Sequence, residues 1–251
     1  VLAILTRLIL QGFCCFVVVG LLAMPSALAD SLSDRVERFP YWQRKPNVTV
    51  VNREDLLYPD WMAGTWDVTS TLLQLEAPLA PDLKSPGFEG NRRYLNQPLS
   101  FQVRFQANPK AGGVVGDRTF NSANISKAYF GDTTEIEIIP DADNPNRQVI
   151  DMAGGQELVS VVRGRSREQP EGDRFLSTEI IYQVFRTPGQ IYFNEVETTT
   201  DYRQQDSSHI ESEQLTAIYL SPKDPAYFRA NGSPVALYRY HLELTRAESG
   251  K

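Results

Sequence analysis

From Gly64 onward the chain is divided into strand-length runs of alternating apolar and polar side chains, and no other feature limits its fold so strongly. Leu99-Ser100-Phe101-Gln102-Val103-Arg104-Phe105-Gln106 is the plainest run, with every second residue apolar. A first run spans about 64–75, and others are centred on 147–152, 157–165, 174–186, 190–203, 210–220 and 235–246. Gly154-Gly155, Pro170-Glu171-Gly172-Asp173 and Pro188-Gly189 carry turn chemistry between runs. Tight turns pair successive strands antiparallel, so the expected fold is all-β, an eight-stranded up-and-down barrel. Closure would remove the aggregation-prone edges of so long a meander. Residues 117–131 read as the one good helix, with Phe120, Ile125 and Ala128 at helical spacing and Gly131 to end it. It is expected across the outside or the open end of the sheet. Residues 76–98 hold Pro78, Pro81, Pro86, Gly87 and Gly90 and read as a long first loop, a common place for a lid or docking surface.

Upstream, residues 8–24 form an apolar run preceded by Arg7 and followed by Pro25 and Ala27-Leu28-Ala29. These are the parts of a secretory signal peptide, with cleavage expected between Ala29 and Asp30. The rival reading is an uncleaved membrane anchor, because the run approaches bilayer-spanning length. Both cysteines, Cys14 and Cys15, lie in this leader. The mature chain is therefore expected to stand on its core without disulfides, and to lack a thiol nucleophile or thiolate metal site. The 251-residue chain has net charge −6, and removing residues 1–29 takes away only Arg7, leaving −7. That balance argues against a nucleic-acid partner and against a polybasic membrane-surface role. The expected division is a leader at 1–29, an N-terminal arm at 30–60, a barrel domain at 61–247 and a tail at 248–251. Tyr41, Trp42, Tyr58 and Trp61 give the arm aromatic groups with which to pack on the domain.

Alternation also assigns faces. On the last strand Ala236, Tyr238, Tyr240, Leu242 and Leu244 share the inward face and Arg239, His241 and Glu243 the outward one, so Arg246 also points inward. In a closed barrel the end of the last strand lies beside the start of the first. Arg246 is therefore expected over the Trp66 ring, a cation–π contact worth about 0.5–2 kcal/mol. Leu99, Phe101, Val103 and Phe105 are inward on the second strand. Leu176, Thr178, Ile180, Tyr182 and Val184 are expected inward on another. Tyr192, Asn194, Val196, Thr198, Thr200 and Tyr202 follow on the next, with Glu195, Glu197 and Asp201 outside. Polar groups placed among apolar ones suit a ligand cavity. Its expected lining is Ser70, Phe101, Phe105, Tyr182, Asn194, Thr198, Tyr202, Tyr238 and Tyr240, with Trp66 and Arg246 closing one mouth. The alternative is an interior filled by tyrosine rings and buried water.

Catalytic patterns are weak. His209, Glu211 and Glu213 share a strand face at a spacing that suits a divalent metal, but an exposed polar strand face is the favoured reading, and no metal site is assigned. Residues 141–146 echo a calcium loop, yet Pro145 occupies the fifth position and Met152 stands where a bidentate Glu is needed. Glu195 and Glu197 are neighbours on one face, whereas glycoside chemistry needs carboxylates opposed across a cleft. Gly112-Gly113-Val114-Val115-Gly116 lacks the Lys-Ser/Thr of a phosphate loop. The expectation is a protein with no catalytic residues and no cofactor.

Tyr58-Pro59-Asp60-Trp61-Met62-Ala63-Gly64-Thr65-Trp66, Gly116-Asp117-Arg118-Thr119-Phe120-Asn121 and Tyr238-Arg239-Tyr240 together resemble an uncharacterised family of cyanobacterial and chloroplast proteins of the thylakoid lumen, over about residues 55–247. The resemblance transfers no catalytic residues. It implies a photosynthetic host and, with the leader, an exported protein of the thylakoid lumen or periplasm. At fold level Gly64-Thr65-Trp66 is similar to the opening of lipocalin-like calycin barrels. The resulting expectation is a carrier that holds a hydrophobic small molecule, a pigment or lipid, in its barrel. The alternative is a photosystem assembly or interaction factor that docks a thylakoid membrane protein complex through the long loop and the arm. No transmembrane segment is expected after cleavage.

Overall fold

The computed structural model describes residues 31–131, 134–170 and 172–248, and the expected leader at 1–29 lies outside them. The alternating runs form strands: β1 (Thr49–Val50), β2 (Gly64–Glu76), β3 (Pro98–Asn108), β4 (Gly113–Gly116), β5 (Ile136–Pro140), β6 (Arg147–Met152), β7 (Gln156–Glu168), β8 (Arg174–Thr187), β9 (Gln190–Gln204), β10 (His209–Leu220) and β11 (Ala236–Arg246). All join one antiparallel sheet, ordered β4, β3, β2, β11, β10, β9, β8, β7, β6, β5, with β1 beside β7.

The sheet curls but does not close. Its free edges, β4 and β5, stand 13 Å apart, so the closed eight-stranded calycin barrel expected from the alternation is not formed. Hydrogen-bonded strands lie only about 4.8 Å apart. The cause is a break in the meander. β4 is four residues long, and at Asp117 the chain leaves the sheet for a helix, Arg118–Phe130. It returns as β5, which pairs with β6. A helix with its side chains is about 10–12 Å across, which matches the opening.

That helix packs on β3 and β5. Asp117 caps it, its Oδ1 accepting from the Phe120 N–H at 3.1 Å. Asn121 then serves β3 as a substitute strand. Its Oδ1 accepts from the Arg104 N–H at 2.6 Å and its Nδ2 donates to the Arg104 carbonyl at 3.2 Å. Residues 51–58 lace the opening at one end. The Val51 N–H donates to the Arg163 carbonyl of β7 at 3.2 Å, and the Tyr58 N–H donates to the Val114 carbonyl of β4 at 2.9 Å.

The N-terminal arm covers the part of the outer face formed by β8, β10 and the start of β11. A short helix, Leu32–Glu37, starts with a reciprocal cap between Ser31 and Asp34. Its Leu32 and Val36, with Phe39 and Trp42, bury against Leu176, Leu215, Ala217, Tyr219 and Leu237. Arg35 reaches through this layer to Glu197, which is 0% exposed and also accepts from the Tyr219 hydroxyl at 2.8 Å and the Thr199 hydroxyl at 3.0 Å. Glu197 faces outward as its parity requires, but the arm buries it rather than solvent receiving it.

On β8 the expected faces are reversed. Phe175, Ser177, Glu179, Ile181, Gln183 and Phe185 sit opposite Tyr202, Thr200, Thr198, Val196, Asn194 and Tyr192 on the concave side. Leu176, Thr178, Ile180, Tyr182 and Val184 therefore face outward. Both rows of β8 carry large apolar residues, so alternation alone left the choice open. The arm decides it, because it gives the outer row of Leu176 an apolar cover.

Candidate functional site: an uncharged trough on the concave face

Inside the curl, Met62, Trp66, Val68, Phe105, Val114, Phe175, Ile210 and Leu244 form the main core. Tyr58 is its keystone, with ring centroids 4.7 Å from Phe105, 5.5 Å from Phe175 and 6.3 Å from Tyr202. Burial first, then Tyr202, pushes the Tyr58 hydroxyl well above the ordinary phenol range. At the start of β2 the Arg246 guanidinium lies 4.3 Å over the Trp66 ring and donates to the Ala63 carbonyl at 2.8 Å. The Trp66 indole donates to the Met62 carbonyl at 2.8 Å, so both partners are held by one turn of backbone.

Two open clefts run along the concave face and meet at Thr216 and Tyr240, which line both. The smaller, about 300 Å³, lies between Phe101, Phe105 and Ser70 on the strands and Asn121, Ile125 and Tyr129 on the helix. A spacing of four puts those three helix residues on one stripe. The larger, about 500 Å³, lies where Ser85, Pro86, Gly87 and Asn91 of the long loop face Gln183, Phe185, Tyr192 and Asn194 of β8 and β9. Asn91 donates to the Tyr238 hydroxyl at 3.2 Å and so anchors the loop to β11. No side chain lining either cleft is charged. Asn194, 5% exposed, and Tyr192 line the larger cleft as neighbours on β9, and the Asn194 amide hydrogen-bonds the Tyr192 hydroxyl. Burial and then Asp224 raise the Tyr192 hydroxyl to about 12, and burial raises Tyr202 to about 12.

The ionic groups of this face are gathered into a separate, matched cluster beside Tyr58. Glu179 accepts from Arg118 at 3.0 Å and Arg165 at 2.8 Å, and Arg118 also pairs with Asp55 at 3.2 Å. Arg165 donates further to the Glu54 carbonyl at 2.7 Å. Burial acts to raise the Glu179 carboxyl, but Arg118 and Arg165 outweigh it and hold it below the ordinary carboxylate value. The cluster fastens residues 54–55 to the sheet.

Of the lining expected from sequence, Ser70, Phe101, Phe105, Tyr202 and Tyr240 line the smaller cleft, and Asn194, Tyr238 and Tyr240 the larger. Thr198 shares the concave face, level with Glu179 and Thr216. Tyr182 does not: it lies on the outer face, stacked with Phe193 at 6.5 Å and beneath Arg163. Tyr58, Asn121, Tyr129 and Gln183 belong to the trough and were not foreseen. The alternation of β8 gave no sign of Gln183, whereas Asn121, Ile125 and Tyr129 were legible as a stripe. Of His209, Glu211 and Glu213, the last is paired to Arg239. Among the described residues no group of three His, Cys, Asp or Glu side chains is placed to hold a metal ion.

Residues 51–248 match a family described as a domain of unknown function, DUF6816. The chain belongs to that family. The DUF6816 match starts at Val51, directly after β1, and takes in the residues that run from β7 to β4 across the opening. No curated protein and no solved structure matches the chain. Three expectations are corrected here. The DUF6816 description carries no thylakoid, photosynthetic or signal-peptide assignment, and the open sheet does not support kinship with calycin or lipocalin barrels. The carrier of a pigment or lipid in an enclosed barrel cavity falls with the barrel, because an open curved sheet encloses no such cavity. Among the described residues no helix is long and apolar enough to cross a membrane.

Proposed function

We propose that this domain is a protein-interaction module and that a segment of the partner lies in the concave trough. The observation that carries the reading is the trough itself: two open clefts joined end to end, lined by rings, amides and hydroxyls and free of charge. An extended polypeptide offers a line of apolar side chains and hydrogen-bonding peptide groups, and recognition of such segments uses open grooves of this kind. The arm's apolar side chains Leu32, Val36, Phe39 and Trp42 are committed to the outer face, which favours the trough as the docking surface. The long loop takes part by forming one rim of the larger cleft with Ser85–Asn91 residues such as Asn91.

The test is a photo-crosslinking amino acid placed at Gln214, in the trough, and at Glu243, on the exposed outer face. The expected result is one defined protein crosslinked from Gln214, absent from Glu243 and lost on Thr216→Arg. Equal labelling from both positions, or none from Gln214, would sink the reading.

A further inference from the structure

We propose that one end of the sheet is a docking surface for an anionic lipid bilayer, with Phe228, Tyr41 and Ile191 entering the interface. This goes beyond the interaction reading and does not depend on what lies in the trough. Three segments meet at that end. The β8–β9 turn is one. Asn194 pairs with Leu220, and Ile218 with Ala236, so the connection from β10 to β11 lies beside that turn. The connection carries a short helix, Tyr227–Ala230. The Ser233 hydroxyl donates to the Gln43 carbonyl at 3.3 Å, which brings the arm to the same place. Each segment holds a large apolar side chain out in solvent: Ile191 is 56% exposed, Tyr41 85% and Phe228 88%.

Shape and charge together select a bilayer as the occupant. The apolar groups are isolated tips on separate segments, not the lining of a groove. A partner of fixed shape would need a matching pocket for each, whereas a lipid interface yields to each tip separately, and it favours aromatic rings at headgroup depth. Arg44 and Arg229 are exposed beside these tips and make no ion pair among the described residues, and Lys223 lies 4.8 Å over the Phe193 ring. Neighbouring carboxylates are already answered, Glu195 by Lys45 and Glu157 by Arg186. The chain as a whole carries −6, so free cations gathered next to apolar tips run against its average. Cations at that level are drawn to anionic headgroups while their aliphatic stems lie along apolar surface.

The experiment uses the full chain with vesicles of phosphatidylcholine, alone or mixed with phosphatidylglycerol, brominated on the upper acyl carbons. Residues 8–24 are an apolar run of near-spanning length, so total binding decides nothing and the readout is site-specific. A fluorescent amino acid replaces Phe228, Ile191 or, as the control, Val50, which is 79% exposed but pairs with Gly164 towards the other end of β7. Bromine quenching is expected at 228 and 191 but not at 50, and several-fold stronger on the mixed vesicles. Arg44→Glu combined with Arg229→Glu should return it to the level of phosphatidylcholine alone. The melting temperature should hold, because both side chains are exposed and unpaired. No quenching at 228, quenching as strong at 50, or quenching indifferent to the charge reversal overturns the proposal. A protein crosslinked from position 228, with no quenching there, would assign this end to a protein partner and overturn it as well.

Discussion

A Cβ added to Gly64 would lie 2.5 Å from Nη1 of Arg246, the guanidinium that covers Trp66. Gly64 also has φ of +130°, a region that side chains other than hydrogen rarely tolerate. Gly64→Ala should therefore destabilise by roughly 2–4 kcal/mol, from backbone strain together with the clash. Arg246→Ala in the same chain removes the clash but not the strain. Urea denaturation of both single variants and the double should give a double variant less destabilised than the sum. Strict additivity would show that the guanidinium does not set the constraint.

Glu197 predicts how the arm comes off. Its carboxylate is buried against Arg35, Tyr219 and Thr199. Truncating one member of a buried pair leaves the other uncompensated, at a cost of about 3–5 kcal/mol. Glu197→Ala should lose that much stability and expose residues 38–48 to limited proteolysis. An arm as protected as in the native chain would contradict this account.

Tyr58 fastens the bridging strip to β4 through its backbone and packs on the core through its ring. Tyr58→Ala should cost about 3–5 kcal/mol. Amide exchange should show the loss of protection spreading to Val114 and Val115 before it reaches β9 and β10. Uniform loss across the sheet would mean that the opening is not held locally.

The acid limb of stability should depend on Glu179. Its folded-state pKa is depressed below the usual 4.5, so the folded state binds this proton less readily than the unfolded chain. The stabilisation is fully present above pH about 4.5 and is lost as pH falls through the folded value. Glu179→Gln should flatten that part of a stability profile measured between pH 7 and pH 3. The raised phenols work in the opposite sense. Tyr202, at about 12, favours the folded state while neutral, and that contribution fades as pH climbs from 10 towards 12.

Some of this was readable from residues in order along the chain. The run 117–131, with Asp at its start and Gly at its end, marks a helix that the structure places at Arg118–Phe130. Parity carried from Ala236 to Arg246 put the arginine on the same face as Trp66, and the two do meet. Glu197 shows the limit. Its outward face followed from parity, but its burial depends on Leu32 and Val36 more than 150 positions away in sequence. Tyr182 shows another, because two apolar rows on β8 satisfy the alternation equally well.

Taken alone, the amino-acid order determined where strands run, which residues share a side of each, and how charge is distributed, since all three are local properties of the chain. Whether the last edges meet was decided only in three dimensions. Alternation fixes a strand's faces but not its neighbours, and a helix as wide as two strand spacings, packed on β3 and β5, outweighs the tendency of a curled sheet to seal itself.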